Sequence, residues 1–226
     1  TNQVNAHVFE ESFILNRSAA AQLIAAQEGK AFDALYDSLP EWICLQNIAG
    51  FERLPVQRLA CQRNDIGKVA ARYSLQLSER LGNLSAERLL HAARTPCGET
   101  DWRHALAGNA LSVCFQTTLD RSEAFIRLAL QTATQALRDL PACASAQWAV
   151  YVQPVVQNRA CDVELFFQYD PADPQQLAVM MQLEQKLFDV LNEAHAFFSR
   201  PYGVAELKVF ENNPLNTRFL HKMKNI

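Results

Sequence analysis

VYVQPVVQNRACDVELFFQYDPADP, residues 150–174, is the stretch that decides the fold. Two apolar-rich runs, 148–156 and 162–169, flank a short polar turn at 157–160. Both alternate with the period of two that a half-buried strand requires. Asp173 and Pro174 then supply an N-cap and a first helical residue, a position where the missing N–H of proline costs nothing. The stretch therefore reads strand, turn, strand, helix.

The neighbouring sequence extends this order. Upstream, Leu111, Val113 and Phe115 alternate with Ser112, Cys114 and Gln116, which is another half-buried strand. Asp120 and Glu123 have capping-box spacing and open a helix expected to run to Leu140, where Pro141 closes it. Downstream, the helix from Pro174 carries an apolar stripe of Leu177, Met180, Met181, Leu187, Leu191, Ala194 and Phe198, with Glu184 as the exception. Strand, helix, strand, strand, helix is the ferredoxin-like split βαβ pattern. The expected class is α+β, an antiparallel sheet with helices packed on one face.

The expected division is a helix-rich first half, 1–109, with one strand pair, and a ferredoxin-like half, 110–226, with a C-terminal helix. In the first half Ser18 is expected to cap AAAQLIAAQE and Gly29 to end it. AFDALYDSL forms a second helix that stops at Pro40. WICLQNIAG from Trp42 and VQRLACQ from Val56 read as the strand pair around a turn at 50–55. A helix over 65–81 follows, with Gly82 past its end, and Ser85 caps AERLLHAAR. The internal boundary is expected within 94–108. The chain of 226 residues is long enough to bury a sizeable core.

Alternation also sorts the strand side chains by face. Leu111, Val113, Phe115, Val150, Val152, Val163, Leu165 and Phe167 form an apolar set that should meet the helices. Cys114, Gln116, Tyr151, Gln153, Glu164, Phe166 and Gln168 form the opposite set. A solvated face would carry Lys, Glu and Thr; amides, aromatics, a thiol and a carboxylate suit a ligand pocket or a surface covered by another domain. An ordinary exposed sheet face is the equal alternative. After the long helix comes SRPYG. Arg200 there offers a planar fork for a carboxylate, phosphate or phenolate, and Tyr202 a donor with an aromatic face.

Charge and cysteine usage exclude several classes. A net charge of −3 favours neither nucleic acid nor an anionic membrane, and no apolar run is long enough for a membrane span. Six cysteines stand at 44, 61, 97, 114, 143 and 161, without CxxC or zinc-finger spacing. They read as free, mostly buried thiols in a reducing, cytoplasmic compartment. No metal site is expected. Seven glycines, none clustered, argue against a dinucleotide phosphate loop within this sequence. His7, His91, His104, His195 and His221 have no nucleophile or carboxylate at triad spacing.

The combination of VYVQPVVQNRACDVELFFQYDPADP, AFFSRPYG (196–203) and NNPLNTRFLHKMKNI (212–226) resembles the C-terminal, substrate-binding or cap domain of FAD-linked oxidoreductases of the vanillyl-alcohol oxidase and 4-cresol dehydrogenase type. The similarity covers about half the chain, from Leu111 to Ile226. In that family the last helix is usually followed by a tail like FDPNN-LNPGK, and the flavin sits in a separate domain. The resemblance implies a piece of a larger enzyme, with FAD bound mainly by a missing FAD-binding domain and hydride passing from a small organic substrate to flavin N5. It makes Tyr151, Gln153, Glu164 and Phe166 candidates for the substrate-binding or flavin-facing wall, and Arg200 and Tyr202 candidates for anchoring. Two departures narrow the branch. Phenol-oxidising members carry a Tyr–Arg pair where this sequence has VAELKVF (204–210), which argues against a para-substituted phenol. The 2-hydroxy-acid branch carries a metal-linked His–Gly–Asp–Gly–Asn run where this sequence has CDVELFFQYD (161–170).

Two other readings stand beside the cap. A non-catalytic ferredoxin-like binding or assembly module would use the amide-rich face to dock a partner, a homodimer being one arrangement. A cofactor-free enzyme would use Glu164 as a base.

Overall fold

The computed structural model describes residues 11–29, 31–50, 53–94, 102–104, 109–138, 148–156, 159–199, 204–211 and 214–224. Its centre is a five-stranded antiparallel sheet in the order β2-β1-β6-β7-β5. The strands are β1 (Glu11–Asn16), β2 (Trp42–Asn47), β5 (Asn109–Thr117), β6 (Ala149–Val155) and β7 (Ala160–Tyr169); β3 (Arg80–Leu81) and β4 (Leu84–Ser85) form a separate small hairpin.

The ferredoxin-like half follows the expected order. β5, the helix α5 (Leu119–Ala136), β6, β7 and the helix α6 (Pro174–Glu193) succeed one another, and β7 lies between β5 and β6. Past α6 the chain returns to the free edge of β5, where Gln116 and Phe197 exchange backbone hydrogen bonds of 2.7 and 3.0 Å. α5 and α6 bury Phe125, Ala129, Ala133, Met180, Leu183 and Leu187 against the apolar strand set, including Val113, Val150, Val163, Leu165 and Phe167. This face is the one the alternation assigned to the helices.

The first half extends the same sheet by two strands and covers its other face. α1 (Arg17–Glu28), α2 (Phe32–Tyr36) and α4 (Ala86–Arg94) pack with Phe13, Leu15, Ala149, Tyr151 and Phe166 into a second core. The sheet is thus a shared middle layer. Within the second half the helices keep to one face, while the helix-rich region occupies the opposite one.

Several local expectations are corrected. VQRLACQ is not a strand. It belongs to α3 (Pro55–Tyr73), with Pro55 in the first turn, where its fixed φ favours the helix. β1 is the real partner of β2, in the register Phe13↔Leu45 and Leu15↔Ile43. Gly50 has a steric reason, because a Cβ there would lie 2.7 Å from Cβ of Pro55. The helix expected over 65–81 ends at Tyr73, closed by Ser74 in the left-handed region. The cap of α1 is Asn16 rather than Ser18, which is buried inside the helix. Asn16 Oδ1 accepts from the N–H groups of Ala19 and Val150, both at 2.9 Å, and its Nδ2 donates to the Trp148 carbonyl at 2.8 Å. One amide therefore starts α1 and ties β1 to β6.

The capping box at Asp120 does not form either. α5 begins after Thr118, which makes no side-chain cap bond, and Glu123 instead pairs with Arg127 one turn on. In α6, Met180, Leu187 and Leu191 are buried as expected, together with Leu183 and Phe188. Leu177 and Met181 face out, because the buried arc is centred one position away. α7 (Val204–Glu211) and α8 (Pro214–Lys224) follow, with Lys208 pinned to Asp189 and Thr217 Oγ1 donating to the Phe210 carbonyl at 2.7 Å. Among the described residues no helix is long and apolar enough to cross a membrane.

Candidate functional site

β5, β7 and β6 bring the polar strand set into one array. Glu164 lies directly between Cys114 and Tyr151, its partners on the flanking strands, and Asp162 lies between Gln116 and Gln153 in the next polar row. Because side chains alternate with period two, all six project from the face opposite α5 and α6. α1 and its neighbours cover the β1 side of this face, while Cys114 remains exposed and Gln116, Gln153, Asp162 and Glu164 half-exposed.

A short 3-10 turn, Trp102–His104, closes the covered part. Trp102 is only 2% exposed and packs against Tyr151 and Phe166, with ring centroids 6.3 and 5.7 Å away. Its indole Nε1 is buried with no hydrogen-bond partner among the described residues. Gln168 holds the turn by donating from Nε2 to the Arg103 carbonyl at 2.6 Å. Arg103 then reaches back over the sheet. Its guanidinium lies 4.7 Å from the Trp102 ring centre, 5.7 Å from Tyr151 and 5.8 Å from Phe166, and its Nε is 3.4 Å from Oε2 of Glu164. Three π faces and one carboxylate surround this cation.

The electrostatics keep the neighbouring acids protonated. Desolvation, and then the negative charge of Glu164, push the Tyr151 hydroxyl well above the usual phenol range, with Arg103 opposing. Tyr151 is therefore a neutral donor, and its hydroxyl donates to Oε1 of Gln153 at 3.2 Å. Desolvation and the same carboxylate raise the Cys114 thiol, whose sulfur sits 3.3 Å from Ser112 Oγ. A protonated thiol is a poor nucleophile. The array can bind, orient and donate hydrogen bonds, and Glu164 is placed to accept them.

Of the sequence-derived candidates, Tyr151, Gln153 and Glu164 come together on this face. Phe166 is on it too, but its ring is wholly buried under Trp102 and Arg103, so it supports the wall from beneath. Arg200 and Tyr202 lie outside the described residues. Sequence reasoning missed Trp102 and Arg103, which fall in the stretch read as an internal boundary. The available signal was an adjacent aromatic–arginine pair in an otherwise polar loop. Among the described residues no group of three or more His, Cys, Asp or Glu is placed to hold a metal ion. The described cysteines are free, and Cys44, Cys61 and Cys114 are exposed rather than buried; only Cys161 of these four is buried. Their strands and helix lie at the edges of the two cores, which period alone does not show.

The architecture is an α+β fold with a split βαβ unit widened by two strands. Solved structures share it, two of them as follows. A 4-ethylphenol oxidase from Gulosibacter chungangensis, in complex with isoeugenol, matches 94% of this chain with a TM-score of 0.62 at 12% sequence identity. An alkyldihydroxyacetonephosphate synthase matches 90% with a TM-score of 0.50 at 10% identity. This chain spans 43% and 36% of those two chains, less than half of either. At such identities the likeness is one of fold. No protein-family model matches the sequence, and no curated protein does.

Proposed function

We propose that this chain is the substrate-binding, or cap, domain of an FAD-dependent oxidoreductase, with FAD bound mainly by a domain outside this sequence. The observation that carries the reading is the two-sided sheet. One face is packed by α5 and α6, whereas the other leaves Cys114 exposed and Gln153 and Glu164 half-exposed beside a buried, protonated Tyr151. The family resemblance of residues 111–226 and a fold shared with 43% of the chain of a solved oxidase support it. The flavin, when bound, would accept the hydride. Within this chain Tyr151 and Gln153 would orient a substrate by hydrogen bonds, Glu164 would hold or move a proton at a carboxylate oxygen, and the Trp102–Arg103 turn would exclude water. The face fits a wall over a flavin and its substrate. Free thiols are consistent with a cytoplasmic setting.

Fluorescence titration tests the assignment. FAD should bind this chain alone weakly or not at all, and the parent reading frame should encode a flavin-binding domain. Tight stoichiometric FAD binding by the isolated chain, or a parent frame without such a domain, would sink it.

A second reading, a non-catalytic docking module or homodimer, is favoured by α8. Leu215, Phe219 and Met223 form an exposed apolar stripe there, while Thr217 on another side meets α7. Sedimentation would show concentration-dependent association if that stripe joins two copies.

A further inference from the structure

Gln116 and Phe197 form a hydrogen-bonded antiparallel pair, so their side chains leave the sheet on the same side. Gln116 belongs to the open face, in the row that crosses β5, β7 and β6 through Asp162 to Gln153. Phe197 therefore adds an aromatic ring to the end of that row. Burial agrees with this parity. Ala196 and Phe198, on either side, lie in the core with α5 and α6, whereas Phe197 is 63% exposed. The backbone under the ring is tightly held. Its N–H and C=O both bond to Gln116, and the Ala196 N–H donates to the Leu191 carbonyl at 2.9 Å. Arg121 Nη2 donates to the Ala194 carbonyl at 3.2 Å, and the Phe198 ring lies 4.7 Å from Phe188 and 6.4 Å from Phe115. An aromatic side chain fixed in the open beside amides and a carboxylate has the make-up of a preorganised ligand anchor.

Resting on the reading of this face as a substrate wall, we propose that Phe197 is a substrate-binding residue of that wall and selects a small molecule with a hydrocarbon end. The hydrocarbon lies on the ring, and a hydroxyl or carbonyl of the same molecule reaches the amides of Gln116 and Gln153. Neighbouring strands are about 4.8 Å apart, so the row from Phe197 to Gln153 spans roughly 14 Å, the length of a small organic molecule. A polyol in the same place would set hydroxyls against the ring without hydrogen-bond partners, which costs free energy.

The test uses the intact chain and two probes built on the same carbon ring, cyclohexanol and myo-inositol, followed by amide NMR. Cyclohexanol should shift the side-chain amides of Gln116 and Gln153 and the backbone signal of Phe197, and myo-inositol should not. Phe197→Ala should weaken cyclohexanol binding roughly fivefold, a fraction of what burying a whole phenylalanine side chain contributes. Phe197→Leu should keep most of the binding. Both variants should melt at the wild-type temperature, because the ring is exposed. Unchanged cyclohexanol binding by Phe197→Ala would overturn the role of the ring and leave the substrate wall standing. Equal or tighter binding of myo-inositol would overturn the hydrocarbon end. If neither probe shifts these signals, both the role of the ring and the wall fall.

Discussion

Arg103 Nε and Glu164 Oε2 meet at 3.4 Å although 61 positions separate the two residues in sequence. The contact joins a turn in the first half to the central strand of the second. With Trp102 beneath it, this turn is the lid on the covered side of the sheet.

Trp102→Ala should lower the unfolding free energy by about 3–5 kcal/mol, because it removes the largest fully buried side chain of the second core. Arg103→Ala should cost only about 1 kcal/mol, since the ion pair is partly open to water. Urea denaturation measures both. A Trp102→Ala midpoint equal to wild type would mean the lid is not packed.

Tyr151 is held protonated by desolvation and by Glu164. Its folded pKa lies above the unfolded one, so its contribution to stability is complete below pH about 10 and is lost as pH rises from there toward the folded value. The phenolate absorbance lost in Tyr151→Phe should therefore appear only above the ordinary phenol range in an alkaline titration. Ionisation of Tyr151 in the ordinary range would contradict the buried geometry.

Thiol reactivity should divide by environment. Cys161 is buried, and desolvation followed by the charge of Asp162 pushes it up to about 11. At pH 8 a thiol reagent followed by peptide mapping should label the exposed Cys61 before the buried Cys161. Early labelling of Cys161 would require β7 to open in the native state.

Asp173 caps α6. Its Oδ1 accepts from the N–H groups of Gln175 and Gln176 at 2.9 and 3.3 Å, and these bonds, with one from the Gln176 side chain, lower its pKa. The stabilisation is present above the unfolded carboxylate value near 4 and disappears as pH falls through the lower folded value. Asp173→Ala should lower the thermal midpoint at pH 7, and the difference from wild type should shrink toward pH 2. An equal difference at both pH values would show that the cap is not ionic.

The second half was legible because its elements are long and regular. β5, β6, β7 and α6 each carry enough period for alternation or capping to be read, and the two face sets followed directly. The first half was harder. ESFILN is six residues long with a single alternation cycle, too little for period to declare β1, although it is an interior strand between β2 and β6. VQRLACQ looked extended until Pro55 and the following turns are taken as one helix. Of the site, Tyr151, Gln153 and Glu164 could be found from strand parity, while Trp102 and Arg103 could not, because a three-residue turn has no period to read.

By itself the sequence determined the local states that depend on neighbours a few residues away: the alternating strands, the Asp173–Pro174 helix start, the Gly29 stop and the composition of each sheet face. Tertiary structure alone decided what those faces meet. Long-range pairing placed β1 and β2 beside β6, laid α1 and α4 on half of the polar face, and carried Arg103 to Glu164. Such contacts depend on which distant surfaces can be buried together and on the loop closure that joins them, and neither is written in the spacing of adjacent residues.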